Sequence, residues 1–228
     1  MMHQRSASLV SKRLVWIAYL DAICILSRRN TVPKSFQQIV EDHGGKVLFT
    51  SSQDNITLFL GGPQITNFEG VCLALVMTWL SQSTSKDDPA RGIKNKVAAL
   101  KLQSTMEASW AGIATVEQKG KEIVNKTFWY RSGQKFQFTS GKYGADLHLL
   151  ADTGKFKESL HILCIYFPEG PGHALGVWKF EKAVSFYDPN YGACAMWIPS
   201  FREFLNEFLK EKYPDTSGFA ICAFVDGK

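Results

Sequence analysis

Apolar positions fall into helix-spaced groups in the first half of this chain and into short continuous runs in the second. Leu14 to Leu26 is apolar except for Asp21 and is bracketed by Lys12-Arg13 and Arg28-Arg29. A membrane span needs roughly 20 apolar residues, and a signal peptide wants an uninterrupted apolar centre. The stretch therefore predicts a buried amphipathic helix behind a loose polar tail at 1–13. Thr31-Val32-Pro33 opens a short helix over Lys34 to His43, stopped by Gly44-Gly45. Lys46 to Thr50 and Ile56 to Leu60 read as strands about a polar turn. Cys72, Val76 and Trp79, with Leu73 and Leu80, repeat at helical spacing, so Cys72 sits at, or one residue into, the start of a buried helix.

Ser81 to Arg91 is a polar surface loop. Val97, Leu100, Met106, Trp110 and Ile113 predict a helix from Ile93 to roughly Glu117. Residues 118–158 carry no pattern that assigns them. Leu160 to Phe167, His173 to Phe180 and Ala183 to Tyr187 read as strands, with a further one over Cys194 to Ile198. Pro199 to Tyr213 is a helix with Pro at its start and Phe201, Phe204, Leu205, Phe208 and Leu209 on one face. Phe219 to Val225 closes the chain as a strand. Helices first and antiparallel strands after predict an α+β fold, with the cysteine helix packed on an antiparallel sheet.

Composition narrows the function classes. The 228 residues suffice for one sizeable core, and 13% aromatic content argues against disorder. Net charge is 26 − 21 = +5, compatible with an acidic partner or a nearby membrane surface. No dense Lys/Arg stripe interleaved with aromatics predicts nucleic-acid binding. The five cysteines, at 24, 72, 164, 194 and 222, form no C-x-x-C pair, so no metal site is predicted. Their odd number and the apolar neighbours of Cys164 and Cys222 predict free thiols, which suit a reducing compartment.

Three residues carry the candidate chemistry. His173 follows the Gly-rich turn Pro168 to Gly172, and Asp188 ends the next run just before Pro189-Asn190. If the two runs pair as a hairpin, the carboxylate and the imidazole come side by side, which would fix the ring's tautomer and stabilise its charged form. Cys72 supplies the thiol, and a helix N-terminus favours the thiolate, which is the nucleophile. Singly, each has a plainer reading as core cysteine, structural histidine or turn aspartate. Together they sit at element ends facing breaks, where catalytic groups concentrate. His43 reads as a helix C-terminal residue. His148 and His161 lack a carboxylate partner, Cys24 and Cys222 lie inside elements, and Cys194 reads as packing. A peptidase is one reading. The same three groups also serve a glutamine deamidase, transglutaminase or acyltransferase, and a binding module with an inert site is the third.

The elements Gly70-x-Cys72 with Leu75 and Trp79, Gly172-His173-Ala174-x-Gly176, and Phe186-Tyr187-Asp188-Pro189-Asn190-Tyr191-Gly192 together resemble the YopT/AvrPphB-type cysteine proteases, bacterial effectors with a papain-like fold. The resemblance spans about residues 60–200 and leaves 1–30 and 118–158 unmatched. It implies a papain-like catalytic domain over 31–228 behind an N-terminal segment, 1–30. Cys72 would be the nucleophile, His173 the general base and acid, and Asp188 its orienter. Asn67 would supply the oxyanion-binding amide, with Gln64 as competitor and the Cys72 backbone N–H as second donor. Gly176 stands where the family often has Ala. The resemblance further implies no cofactor and no obligate oligomer, host protein substrates such as small GTPases or kinases near membranes, and bacterial secretion into the host cell cytoplasm.

Overall fold

The computed structural model describes residues 32–53, 71–82, 86–110, 112, 113, 115, 118, 119, 122, 134–142, 159–169 and 172–226. The expected helix over Leu14–Leu26, the strand Ile56–Leu60, Gln64, Asn67, Cys24 and His148 lie outside them. Within the unit Ser35–Lys228, the described helices are α1 (Phe36–Asp42), α2 (Cys72–Ser81), α3 (Ile93–Trp110) and α4 (Ile198–Lys212). The strands are β1 (Lys46–Phe49), β2 (Gln134–Lys142), β3 (Ser159–Tyr166), β4 (His173–Lys179), β5 (Ala183–Asp188), β6 (Gly192–Trp197) and β7 (Gly218–Asp226). They form one sheet in the order β1-β6-β5-β4-β3-β7-β2, and every neighbouring pair is antiparallel.

Helix ends follow local chemistry. α1 is closed by a capping box, in which the Ser35 hydroxyl accepts from the Gln38 N–H at 3.1 Å and the Gln38 side chain accepts from the Ser35 N–H at 2.7 Å. Its C-terminal His43 lies 2.8 Å from Glu207, tying α1 to α4. α4 starts with Pro199 in its first turn and carries Lys210 and Lys212 in its last, where cations complement the dipole. α3 stops at Trp110, short of the expected Glu117, because the chain turns there: the Ile113 N–H bonds the Trp110 carbonyl at 2.9 Å.

The sheet has a core on each face. Alternation along the strands sends Leu163, Leu175, Val177, Phe186 and Ile221 to the side covered by α1 and by Phe201, Phe204, Leu205, Phe208 and Leu209 of α4. Ile162, Ala174, Trp178, Tyr187 and Cys222 face the other side, with α2 and with Ala99 and Met106 of α3. α2 is buried nearly all round, as expected of a helix enclosed by a sheet and a second helix. β2 is the strand that pattern reading did not assign. Its apolar signal is two phenylalanines at alternate positions, and its place at the sheet edge comes from nine residue pairs with β7.

Two glycines fix the approach of elements around the site. A Cβ at Gly176 would lie 2.9 Å from the Trp79 ring, so its absence lets α2 sit directly on β4. Gly192 has φ +122°, and a Cβ there would fall 2.1 Å from the Phe49 carbonyl oxygen, so β1 can close on the Asp188–Gly192 turn only with glycine. Trp79 also packs against Tyr187 at 5.3 Å between ring centroids, which leaves it little room to retreat. Gly176→Ala should therefore overpack the α2–β4 contact and cost about 1–3 kcal/mol. Thermal melting should fall by roughly 2–4 °C for each kcal/mol lost. Unchanged melting would show that Trp79 can move aside.

Candidate active site

α2 begins at Cys72 without help from its own N-cap, Val71, which has no side chain able to accept. Distant residues take over. The Val71 N–H donates to Gln53 Oε1 at 3.3 Å, and the Ala74 N–H donates to the buried Gln103 Oε1 at 3.2 Å. Gln103 reaches across from α3 and is itself held by Glu107 at 2.9 Å. Two glutamines thus fix the first turn of the helix that carries the thiol.

His173 and Asp188 come together through the β4–β5 hairpin, whose pairing runs from Lys179↔Val184 to Gly176↔Tyr187. Beyond that pair β4 continues to His173 against β3 alone, opposite Ile165. The imidazole Nε2 lies 3.0 Å from Asp188 Oδ1. A carboxylate only accepts, so Nε2 carries the proton and donates. Nδ1 is then the nitrogen left for Cys72, which lies near enough to act on the imidazole electrostatically. By strand alternation His173 shares the sheet face of Leu175 and Val177, whereas Cys72 belongs to the core on the opposite face. Thiol and imidazole therefore meet at the strand end, where β4 and β5 part.

The electrostatics are those of a buried ion-pair site. Cys72 and His173 are each 7% exposed and Asp188 is fully buried. Burial alone pushes the imidazole pKa down. The charge and hydrogen bond of Asp188, then the influence of Cys72 beside the ring, outweigh it and raise the value to about 10. Asp188 is held by more than the histidine. Oδ1 also accepts from the Asn190 N–H at 2.8 Å, and Oδ2 accepts from the Tyr213 hydroxyl at 2.7 Å. Asn190 Nδ2 donates to the same hydroxyl at 3.1 Å, and the Tyr213 ring stacks on His173 at 5.2 Å. Sequence reading named Tyr213 only as the last residue of a helix. Nothing in its neighbours marks it, because its partners lie 25 and 40 residues back in the chain.

The other candidates lie elsewhere. Burial raises the thiol pKa of Cys164, Cys194 and Cys222, that of Cys222 to about 12. Among the described residues no group of three or more His, Cys, Asp or Glu could hold a metal ion. The oxyanion donor expected at Asn67, and its competitor Gln64, are outside the described residues.

Comparison with known proteins fits this geometry into a family. Residues 37–218 match the profile of the cysteine-peptidase family Peptidase C58, described as Yersinia/Haemophilus virulence surface antigen, and the chain belongs to that family. A YopT-like cysteine protease of Bradyrhizobium diazoefficiens is 23% identical over 139 residues, 55% of this chain and 51% of the relative. The chain thus spans about half the length of that curated relative. The crystal structure of the Pseudomonas avirulence protein AvrPphB superposes on 74% of this chain and 98% of its own, with a TM-score of 0.50 at 11% identity. The fold is papain-like.

His161, set aside at the sequence level, sits on β3 at 1% exposure, with Nε2 2.8 Å from the Ser159 hydroxyl. Burial, helped by the charge of Lys179, lowers its pKa to about 4. The unfolded chain therefore binds a proton at His161 between pH about 6.5 and about 4 that the folded chain does not. This stability is fully present above pH 6.5 and is lost as pH falls toward 4, by up to about 1.4 kcal/mol per unit. His161→Gln should flatten the decline in urea midpoint across that window relative to the unsubstituted protein. Parallel declines would show that His161 titrates alike in both states.

Proposed function

We propose that this chain hydrolyses peptide bonds by thiol acyl transfer, with Cys72 as nucleophile, His173 as general base and acid, and Asp188 as the group that orients the imidazole. One observation carries the reading: His173 is hydrogen-bonded to a fully buried carboxylate at 3.0 Å and has the Cys72 thiol as its other electrostatic neighbour. The imidazole takes the thiol proton, and the resulting thiolate is the nucleophile. Cys72 Sγ adds to the carbonyl carbon, and the oxyanion is taken by the Cys72 backbone N–H and the Asn67 side-chain amide. The imidazolium then gives its proton to the leaving amine and a thioester remains. Water, deprotonated by His173, attacks the thioester and releases the acid and the thiol. Each step uses protein groups and water alone.

The substrates in this proposal are host proteins, such as small GTPases or kinases near membranes, reached after bacterial secretion into the host cell cytoplasm. Membership of a family described by virulence antigens supports delivery to a host. The net charge of +5 suits an acidic or membrane-associated target.

Cys72→Ala should abolish cleavage and leave melting nearly unchanged, since Ala suits a helix start inside a core of this kind. Iodoacetamide should label Cys72 far faster at neutral pH than Cys164, Cys194 or Cys222, and His173→Ala should remove the difference. Mapping new N-termini in cells expressing active and Cys72→Ala protein identifies the substrate. A gain of about one dalton at a glutamine instead of a new N-terminus would overturn the peptidase reading.

Asp188→Asn keeps the size of the side chain but presents a neutral amide where His173 needs an anion. In serine hydrolases with the same arrangement this change costs about ten-thousandfold. A cysteine site should lose less, roughly ten- to a thousandfold in turnover, because a thiol needs less help from its base than a hydroxyl does. Turnover equal to that of the unsubstituted protein would leave Asp188 without a role.

A further inference from the structure

Tyr213 is a residue to which neither the family motifs nor the reaction assigns a task, yet it touches both members of the acid–base pair. We propose that Tyr213 is a positioning residue for the reaction: its hydroxyl pins the Asp188 carboxylate while its ring fixes the plane of the His173 imidazole. This inference rests on the Cys72–His173–Asp188 reading above.

The observations are geometric. The two oxygens of Asp188 take three donors: His173 Nε2 at 3.0 Å and the Asn190 N–H at 2.8 Å on Oδ1, and the Tyr213 hydroxyl at 2.7 Å on Oδ2. Without Tyr213, Oδ2 loses that donor inside a fully buried site, and the carboxylate is held at Oδ1 alone. Rotation about χ2, which carries Oδ1 away from the imidazole, is then resisted at one oxygen instead of two. The ring of Tyr213 lies over His173 with 28° between planes and 5.2 Å between centroids. There its π face attracts an imidazolium and blocks rotation of the ring.

Tyr213 is itself held in place, as a positioning group must be. It caps α4 through its N–H to the Leu209 carbonyl at 2.8 Å, and its own carbonyl accepts from the Thr216 hydroxyl at 2.7 Å. Phe167, Tyr191 and Phe208 surround the ring at 5.9–6.2 Å. Asn190 Nδ2 donates to the phenol oxygen and so turns its proton toward Asp188. Burial and the charge of Asp188 both push the phenol pKa up, which keeps it a donor throughout the working range.

The two contacts separate by substitution. Tyr213→Phe keeps the stacked ring and removes the hydroxyl, whereas Tyr213→Leu removes both. The probe is iodoacetamide, read by mass-resolved labelling of Cys72 from pH 5 to 9, with melting measured alongside. Loosening Asp188 weakens the imidazolium, so the acid limb of the Cys72 labelling profile should move to higher pH. At pH 6.5 the rate should fall roughly three- to tenfold for Phe and about ten- to a hundredfold for Leu. Tyr213→Phe should melt within about 5 °C of the unsubstituted protein. A residue that merely capped α4 would lower melting and leave the profile of the folded protein in place. Three superposed profiles would overturn the proposal. His173→Ala is the control that separates the two levels of inference. If it slows Cys72 while the Tyr213 variants do not, the positioning role alone fails. If it leaves Cys72 labelling unchanged, the Cys–His pair fails and the positioning role with it.

Discussion

Asp188 is a carboxylate shut away from water in the interior of a papain-like fold. An unpaired charge in such a place is worth several kcal/mol of instability, so the surrounding chain must supply partners. They come from three places: the start of β4, the turn after β5, and the end of α4. To satisfy one side chain, the β4–β5 hairpin must keep its register, the turn must close, and α4 must end at its present height over the sheet. Gly192 then lets β1 close against the same turn. The geometry around the imidazole is thus the by-product of meeting a buried anion's demand for donors.

The thiol reaches this arrangement from the other side. α2 belongs to the core opposite α4, and Gly176 is what allows Trp79 to bring it onto β4. Its first turn borrows hydrogen bonds from Gln53 and Gln103. Cys72 therefore meets His173 at a height set by one glycine and two glutamines, none of which would take part in the chemistry.

Much of this was readable in the chain, and the limits have physical causes. Strands β3 to β7 and helix α4 announce themselves because both packing and local propensity act on the same residues. The adjacency of His173 and Asp188 follows from a hairpin that two short apolar runs imply. β2 escaped because an edge strand needs few apolar residues when its partner supplies the ladder. Gln103 and Tyr213 escaped for a different reason. Their partners are 29, 25 and 40 residues away, and neither residue type is unusual where it stands. The helix expected over Leu14–Leu26 and the amide expected at Asn67 belong to parts of the chain outside the described residues.

The two cores have a consequence for when the thiol becomes reactive. One core carries the imidazole and its carboxylate, and the other carries the thiol. A chain with only the α4 side packed holds a histidine–aspartate pair with nothing to activate. A chain with only the α2 side packed holds an ordinary cysteine. Reactivity would then be a property of the finished molecule alone, absent from any chain in which either face of the sheet is still unpacked.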